Sequence, residues 1–185
     1  MSAESKKDTS RIILASLNIA RIHYLQSDYT GAETAVTEII PFLEKKKDHP
    51  YNFDVNLILG DISTYALDYK NALFHFNKAL RLKKTTIDEK LTTLHNIGWV
   101  YLEMKQFKKA TYIFEYLLAK KELSNSIEDY TLTLTNLGYC YIKLGKPKAL
   151  DYYMKSLRIA LKTNSITKIY TYERLSEYYK NKDFM

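Results

Sequence analysis

Apolar and polar positions alternate along most of the chain with the period of an amphipathic helix. In NIGWVYLEMKQFKKATYIF, residues 96–114, that pattern runs through a glycine, Gly98. A glycine inside a helix costs roughly 1 kcal/mol relative to alanine, so something gains from the absent side chain. Related stretches begin at Asn18 (NIARIHYLQSDYTGAETAV), Leu57 (LILGDISTYALDYKNALFHF) and Asn136 (NLGYCYIKLGKPKALDYYM), with a partial copy in LSEYYKNKDF near the end. Superposed, they align the small residues Ala20, Gly60, Gly98, Gly138 and Ser176 at spacings of 40, 38, 40 and 38 residues. Other columns keep this register: His23, Tyr101, Tyr141 and Tyr179; the turn aromatics Tyr29, Tyr69 and Phe107; Ala32, Ala72, Ala110 and Ala149; then Phe76, Phe114 and Tyr153. A repeat of this length dictates the architecture.

The pattern predicts helix–turn–helix units over about 11–48, 51–86, 89–125 and 127–164 and a final helix over 166–182, about nine helices in one domain spanning 1–185. In each unit a small residue on the first helix (helix A) and an alanine on the second (helix B) let two backbones approach closely, with aromatics filling the space around them. Gly98 is thus expected to be a packing contact, as are Gly60 and Gly138. Neither helix buries its apolar stripe alone, so the units must stack. The fourth copy is one residue short in its turn, where Pro147 is expected at the first position of helix B. Ser63 replaces an aromatic, which predicts the loosest packing in the second unit. His23 is expected to be a packed, neutral member of the aromatic column. The last helix, with Glu173, Arg174, Glu177 and Lys180, reads either as a polar cap ahead of Phe184 and Met185 or as the start of a longer array.

These columns resemble the tetratricopeptide repeat, whose pattern is L-G-x2-Y followed by A-x3-F. The resemblance covers nearly the whole chain and implies an all-α fold, a right-handed α-solenoid of about four and a half repeats. The unit is 4 to 6 residues longer than the usual 34, and the proline that commonly closes helix B is missing from its column. Units of about 40 residues are similar to those of kinesin light chains and of Gram-positive peptide-pheromone receptors, which include peptide-sensing transcription regulators and response-regulator phosphatases. That resemblance implies a short peptide in the concave groove, held by helix A asparagines, and a role in quorum sensing or transcription regulation. The richness in Lys, Ile and Tyr leans toward a low-GC bacterial source. Neither the DNA-reading segment of such regulators nor the helical bundle of the phosphatases is recognisable in the sequence.

Stacked A helices line a concave face, and residues a turn apart on it are the candidate ligand contacts. They are Leu17, Arg21 and Tyr24; Leu57, Asp61 and Tyr65; His95, Trp99 and Glu103; Thr135, Tyr139 and Lys143. Asn18, Asn96 and Asn136 recur two positions before the small residue, where an amide can serve an extended peptide backbone or bond a neighbouring helix. Both readings stand at this point. His95 is expected to face the groove. Chaperone-docking tetratricopeptide proteins carry an asparagine one position after the glycine; here that column reads Arg21, Asp61, Trp99, Tyr139 and Glu177, so such a clamp is absent.

Composition narrows the classes further. With 46% hydrophobic and 26% charged residues, 5 Gly and 3 Pro in 185 residues, the chain is a soluble globular one of helices joined by short turns. The net charge of +7 is spread over lysines such as Lys45 to Lys47, Lys83, Lys84, Lys108, Lys109, Lys120 and Lys121, near predicted helix ends. That is a solvated surface rather than a nucleic-acid footprint. The candidate signal core, residues 12–20, is cut short by Arg21, and no export signal or membrane span is read. The single Cys140 fits a reducing compartment, and the cytoplasm is the expected location. His23, His49, His75 and His95 form no zinc-type pair, and no phosphate loop or nucleophile motif appears. No catalytic residue, metal or cofactor is therefore expected. The alternative to a peptide module is a structural scaffold or homo-oligomer, joined through exposed apolar surface at an uncapped end.

Overall fold

The computed structural model describes residues 3–44, 49–120 and 125–182; Lys45 to Lys47, Lys121, Phe184 and Met185 lie outside them. All regular structure among the described residues is helical: α1 (Ala3–Leu25), α2 (Tyr29–Thr37), α3 (Ile40–Glu44), α4 (Asn52–Tyr65), α5 (Tyr69–Leu80), α6 (Ile87–Glu103), α7 (Phe107–Leu118), α8 (Ile127–Lys143), α9 (Ala149–Lys162) and α10 (Thr167–Lys182). The chain divides into two compact units, Met1–Thr86 and Ile87–Met185. Helices α1, α4, α6, α8 and α10 carry the A pattern. Helices α2–α3, α5, α7 and α9 carry the B pattern, the first of them broken around Pro41.

Each unit has its own apolar interior. In the first, Ile13, Leu17 and Ala20 of α1 meet Ala32, Val36 and Ile39 of the first B segment and Val55, Ile58 and Ile62 of α4. In the second, Leu91 and Leu102 of α6 pack with Ala110, Phe114 and Leu117 of α7 and Leu137 and Cys140 of α8. Tyr153 and Leu157 of α9 then pack with Leu175 of α10. The column alanines Ala32, Ala72, Ala110 and Ala149 are all buried.

The glycine column has the expected cause. A Cβ on Gly98 would lie 2.7 Å from Cε1 of Phe114, and one on Gly138 2.8 Å from Cε1 of Tyr153. The absent methyl makes room for the aromatic that helix B places four residues after its alanine.

The A-to-B turns repeat as well. A residue in the left-handed region ends the A helix each time: Ser27, Leu67, Lys105 and Gly145, with φ between 57° and 63°. The next N–H then reaches back to a carbonyl five residues earlier, as Asp68 N to Ser63 O at 2.9 Å and Gln106 N to Tyr101 O at 2.8 Å. Only the fourth copy places a glycine there. Leu67→Gly is expected to raise stability by about 0.5–1 kcal/mol, because Leu67 is exposed and its left-handed conformation is costly for a branched side chain; thermal unfolding of the variant measures it.

Two sequence expectations are corrected here. Pro147 does not open helix B: α9 begins at Ala149, with left-handed Lys148 (φ 73°) as its N-cap, so the shortened turn consumes the first turn of the helix. His23 is not a packed core residue: it is partly exposed, with Nδ1 2.8 Å from Oδ2 of Asp28. Asp28 also caps α2 by accepting from the Gly31 N–H, and this bond first, then His23, holds its carboxyl below the usual range.

Helices α8, α9 and α10 share a buried seam of hydroxyls. Thr131 and Thr167 lie 2.7 Å apart and Thr135 and Thr171 3.0 Å apart; Thr135 donates to Ser156 at 2.9 Å, and Ser156 to the Thr131 carbonyl at 2.9 Å.

Candidate functional site

In the second unit, α6, α8 and α10 bring aromatic and charged groups together. The Arg174 guanidinium lies 4.3 Å from the centre of the Tyr139 ring and 5.0 Å from that of Tyr170, a cation held between two π faces. Lys143 Nζ is 5.1 Å from the Tyr139 ring on its own, and Trp99 and Tyr170 are 6.4 Å apart between ring centres. Glu177 accepts from Arg174 at 3.0 Å, and the charges of Glu103 and Glu177 act on Tyr170. Trp99, Glu103, Tyr139 and Tyr170 are half-buried, while Lys143 is exposed.

Beneath them runs a directed line of hydrogen bonds. Arg174 donates through Nε and Nη2 to the Tyr170 hydroxyl, at 3.2 and 3.0 Å. Tyr170 donates to Asn136 Oδ1 at 3.0 Å, and the Asn136 amide nitrogen faces His95 Nε2 at 3.4 Å. His95 also bonds the side chain of Asn96. The line joins three successive A helices and gives buried Asn136 partners at both ends of its amide.

This arrangement corrects part of the predicted groove. Leu17, Thr135, His95 and Asn136, expected on an open face, are buried. Asn136 is 1% exposed and bonds its neighbours, the second of its two readings. His95 does not face solvent. Burial is the largest influence on it and pushes its pKa below the ordinary 6.5, against the opposing charge of Asp129 and the bond to Asn96. The unfolded chain therefore binds more protons than the folded one just below pH 6.5, so stability is full above that value and falls on acidification. His75, lowered by burial and by Lys78, acts in the same sense. Urea unfolding at about pH 7.5 and 5.5 is expected to show this loss, and His95→Gln to reduce it.

The first unit holds its own group. Arg21 bridges to Asp54 at 2.6 Å. Tyr24 packs edge-on to Tyr29 and Tyr65, which stack 4.9 Å apart, and burial first, then the charge of Asp61, drives its hydroxyl pKa upward. Asn18, Arg21 and Tyr65 are exposed; Tyr24, Leu57 and Asp61 are half-buried, as is Asn96 of the second unit.

Tyr170 and Arg174 were absent from the candidate contacts. The signal for Arg174 was present: it stands two positions before Ser176, in the column that holds Asn18, Asn96 and Asn136. No group of three or more His, Cys, Asp or Glu among the described residues is placed to hold a metal. Cys140 is buried, which pushes its thiol up to about 12 and leaves it a poor nucleophile. No described helix is long and apolar enough to cross a membrane.

No family model matches the chain, and no curated protein matches it in sequence. Solved structures do. The apo form of RapI superposes with a TM-score of 0.78 at 14% identity over 92% of this chain, which spans 64% of RapI. Nearly identical TPR-like repeats from a Podospora anserina protein assigned as a kinesin light chain give 0.72 at 15% identity, covering 93% of this chain and 86% of theirs. A tetratricopeptide repeat protein from Parabacteroides merdae gives 0.56 at 20% identity, covering 94% and 62%. The fold is that of the tetratricopeptide repeat. At these identities the likeness concerns fold alone, and tetratricopeptide helix pairs serve many roles. What this chain binds has to be argued from its own A helices.

Proposed function

We propose that this tetratricopeptide chain binds a short linear peptide on its A-helix face, as the sensing part of a bacterial regulator. The observation that carries the reading is the half-buried set of Trp99, Tyr139, Tyr170 and Arg174 on three successive A helices, flanked by Lys143, Glu103 and Glu177. Flat aromatic faces supply contact area at low entropic cost, and the mixed charges suit a chain carrying both signs better than a polyanion. Asn18, Arg21, Asp61, Tyr65 and Asn96 are the further contacts this reading assigns. The resemblance of the 40-residue unit to peptide-pheromone receptors gives the same direction.

The chain contains a single tryptophan, and it lies in the site. Titration with a library of short peptides is expected to change Trp99 emission saturably for a subset of them. If no peptide does so while denaturant still shifts the emission, the reading is wrong.

A further inference from the structure

Two exposed helix faces carry complementary residue patterns. In the second, fourth and fifth copies, the A-helix residues one position before and two after the small residue are buried on the preceding B segment, or half-buried there in the case of Leu59 and Tyr178. Ile62 of α4 packs with Val36 and Ile39, Leu137 and Cys140 of α8 with Phe114 and Leu117, and Leu175 of α10 with Tyr153 and Leu157. In α1 the same columns are Ile19 and Ile22, and they are 47% and 54% exposed. Ile12 and Ala15 extend the stripe, also exposed. The stripe has a second property. Its order, apolar, alanine three on, apolar four further and apolar three further (Ile12, Ala15, Ile19, Ile22), is that of helix B, as in Phe107, Ala110, Phe114 and Leu117 or Tyr29, Ala32, Val36 and Ile39.

The complementary face is on α10. In α6 the columns that receive helix B are Leu91, Leu94, Gly98 and Tyr101, packed against α7. In α10 those columns are Ile169, Tyr172, Ser176 and Tyr179, all exposed, the three large ones to about half. The small Ser176 stands where close approach of a partner helix needs it. One exposed face thus carries the helix B pattern, and the other carries the pattern that receives it.

We propose that the protein self-associates head to tail, with α1 of one copy lying antiparallel in the helix B slot of α10 on a second copy. Each such contact uses one α1 face and one α10 face and leaves one of each open, so it either closes into a ring or adds further copies. It does not depend on the peptide reading, because Trp99 and Arg174 lie in neither face.

Sedimentation of the full chain over a concentration series tests it, using Ile19→Glu for the α1 face and Tyr172→Glu for the α10 face, both at exposed positions and both checked for helicity. The unaltered chain is expected to rise in mean mass above that of a monomer as concentration increases. Each variant alone should associate at least ~10-fold more weakly, as expected for a charge at the centre of an apolar contact. An equimolar mixture of the two should recover association and stop at a 1:1 pair, since one intact face remains on each. The proposal is overturned if the unaltered chain stays monomeric to its solubility limit, if either variant alone associates like the unaltered chain, or if the mixture stays monomeric.

Discussion

Phe114→Ala will lower the unfolding free energy by about 3–5 kcal/mol, the cost of emptying a fully enclosed aromatic site. The ring is 0% exposed and belongs to the interior shared by α6, α7 and α8. Its sharper signature is its coupling to Gly98. On helix propensity alone Gly98→Ala would gain roughly 1 kcal/mol. The new methyl, however, would stand 2.7 Å and 3.0 Å from Phe114 ring carbons and 3.2 Å from Cγ2 of Ile113, so in the native background the substitution is expected to cost about 1–3 kcal/mol. With Phe114 already alanine only the 3.2 Å approach to Ile113 remains, beside the space the ring has left, and Gly98→Ala should become stabilising. Urea unfolding of the two single variants and the double variant measures the sign change. Additive effects would mean that the glycine column answers to something other than the aromatic beneath it.

Trp99→Ala is expected to weaken the tightest peptide found in the titration by about 30-fold or more, the loss of a central aromatic anchor worth ~2 kcal/mol or above. Calorimetry reads it, since the variant has no tryptophan left to report. Trp99 is half-buried, with its ring centre 6.4 Å from that of Tyr170, so thermal unfolding should move far less than for Phe114→Ala. Unchanged affinity with an intact fold would remove Trp99 from the contact surface.

The repeat architecture was legible because the small residues recur. Gly60, Gly98 and Gly138 carry a helical cost that only close packing repays, and the alanine and aromatic columns follow at fixed distances. The groove was less legible, for an angular reason. A position three before the small residue lies ~60° around the helix from it, on the side of helix B, whereas positions one after and two before lie at ~100° and ~160°. Leu17, His95 and Thr135 occupy the former and are buried; Trp99 and Tyr139 follow their glycines directly and are half open. Asn136 has a favourable angle, yet Tyr170 and His95 close over it, a contact between helices 34 and 41 residues apart that no local pattern encodes. Arg174, among Glu173, Glu177 and Lys180, reads in sequence as part of a solvated cap.

The hydroxyl seam between α8, α9 and α10 has a bearing on how faithfully the site is assembled. A greasy contact tolerates sliding, because one methyl replaces another at little cost. Thr167 and Thr171 instead meet Thr131, Thr135 and Ser156 in pairs, and displacing the last helix by a turn would strand several enclosed donors and acceptors at about 1–3 kcal/mol each. The seam therefore works as an indexing lock: it sets the axial position of α10, and with it the height at which Tyr170 and Arg174 stand beside Trp99 and Tyr139.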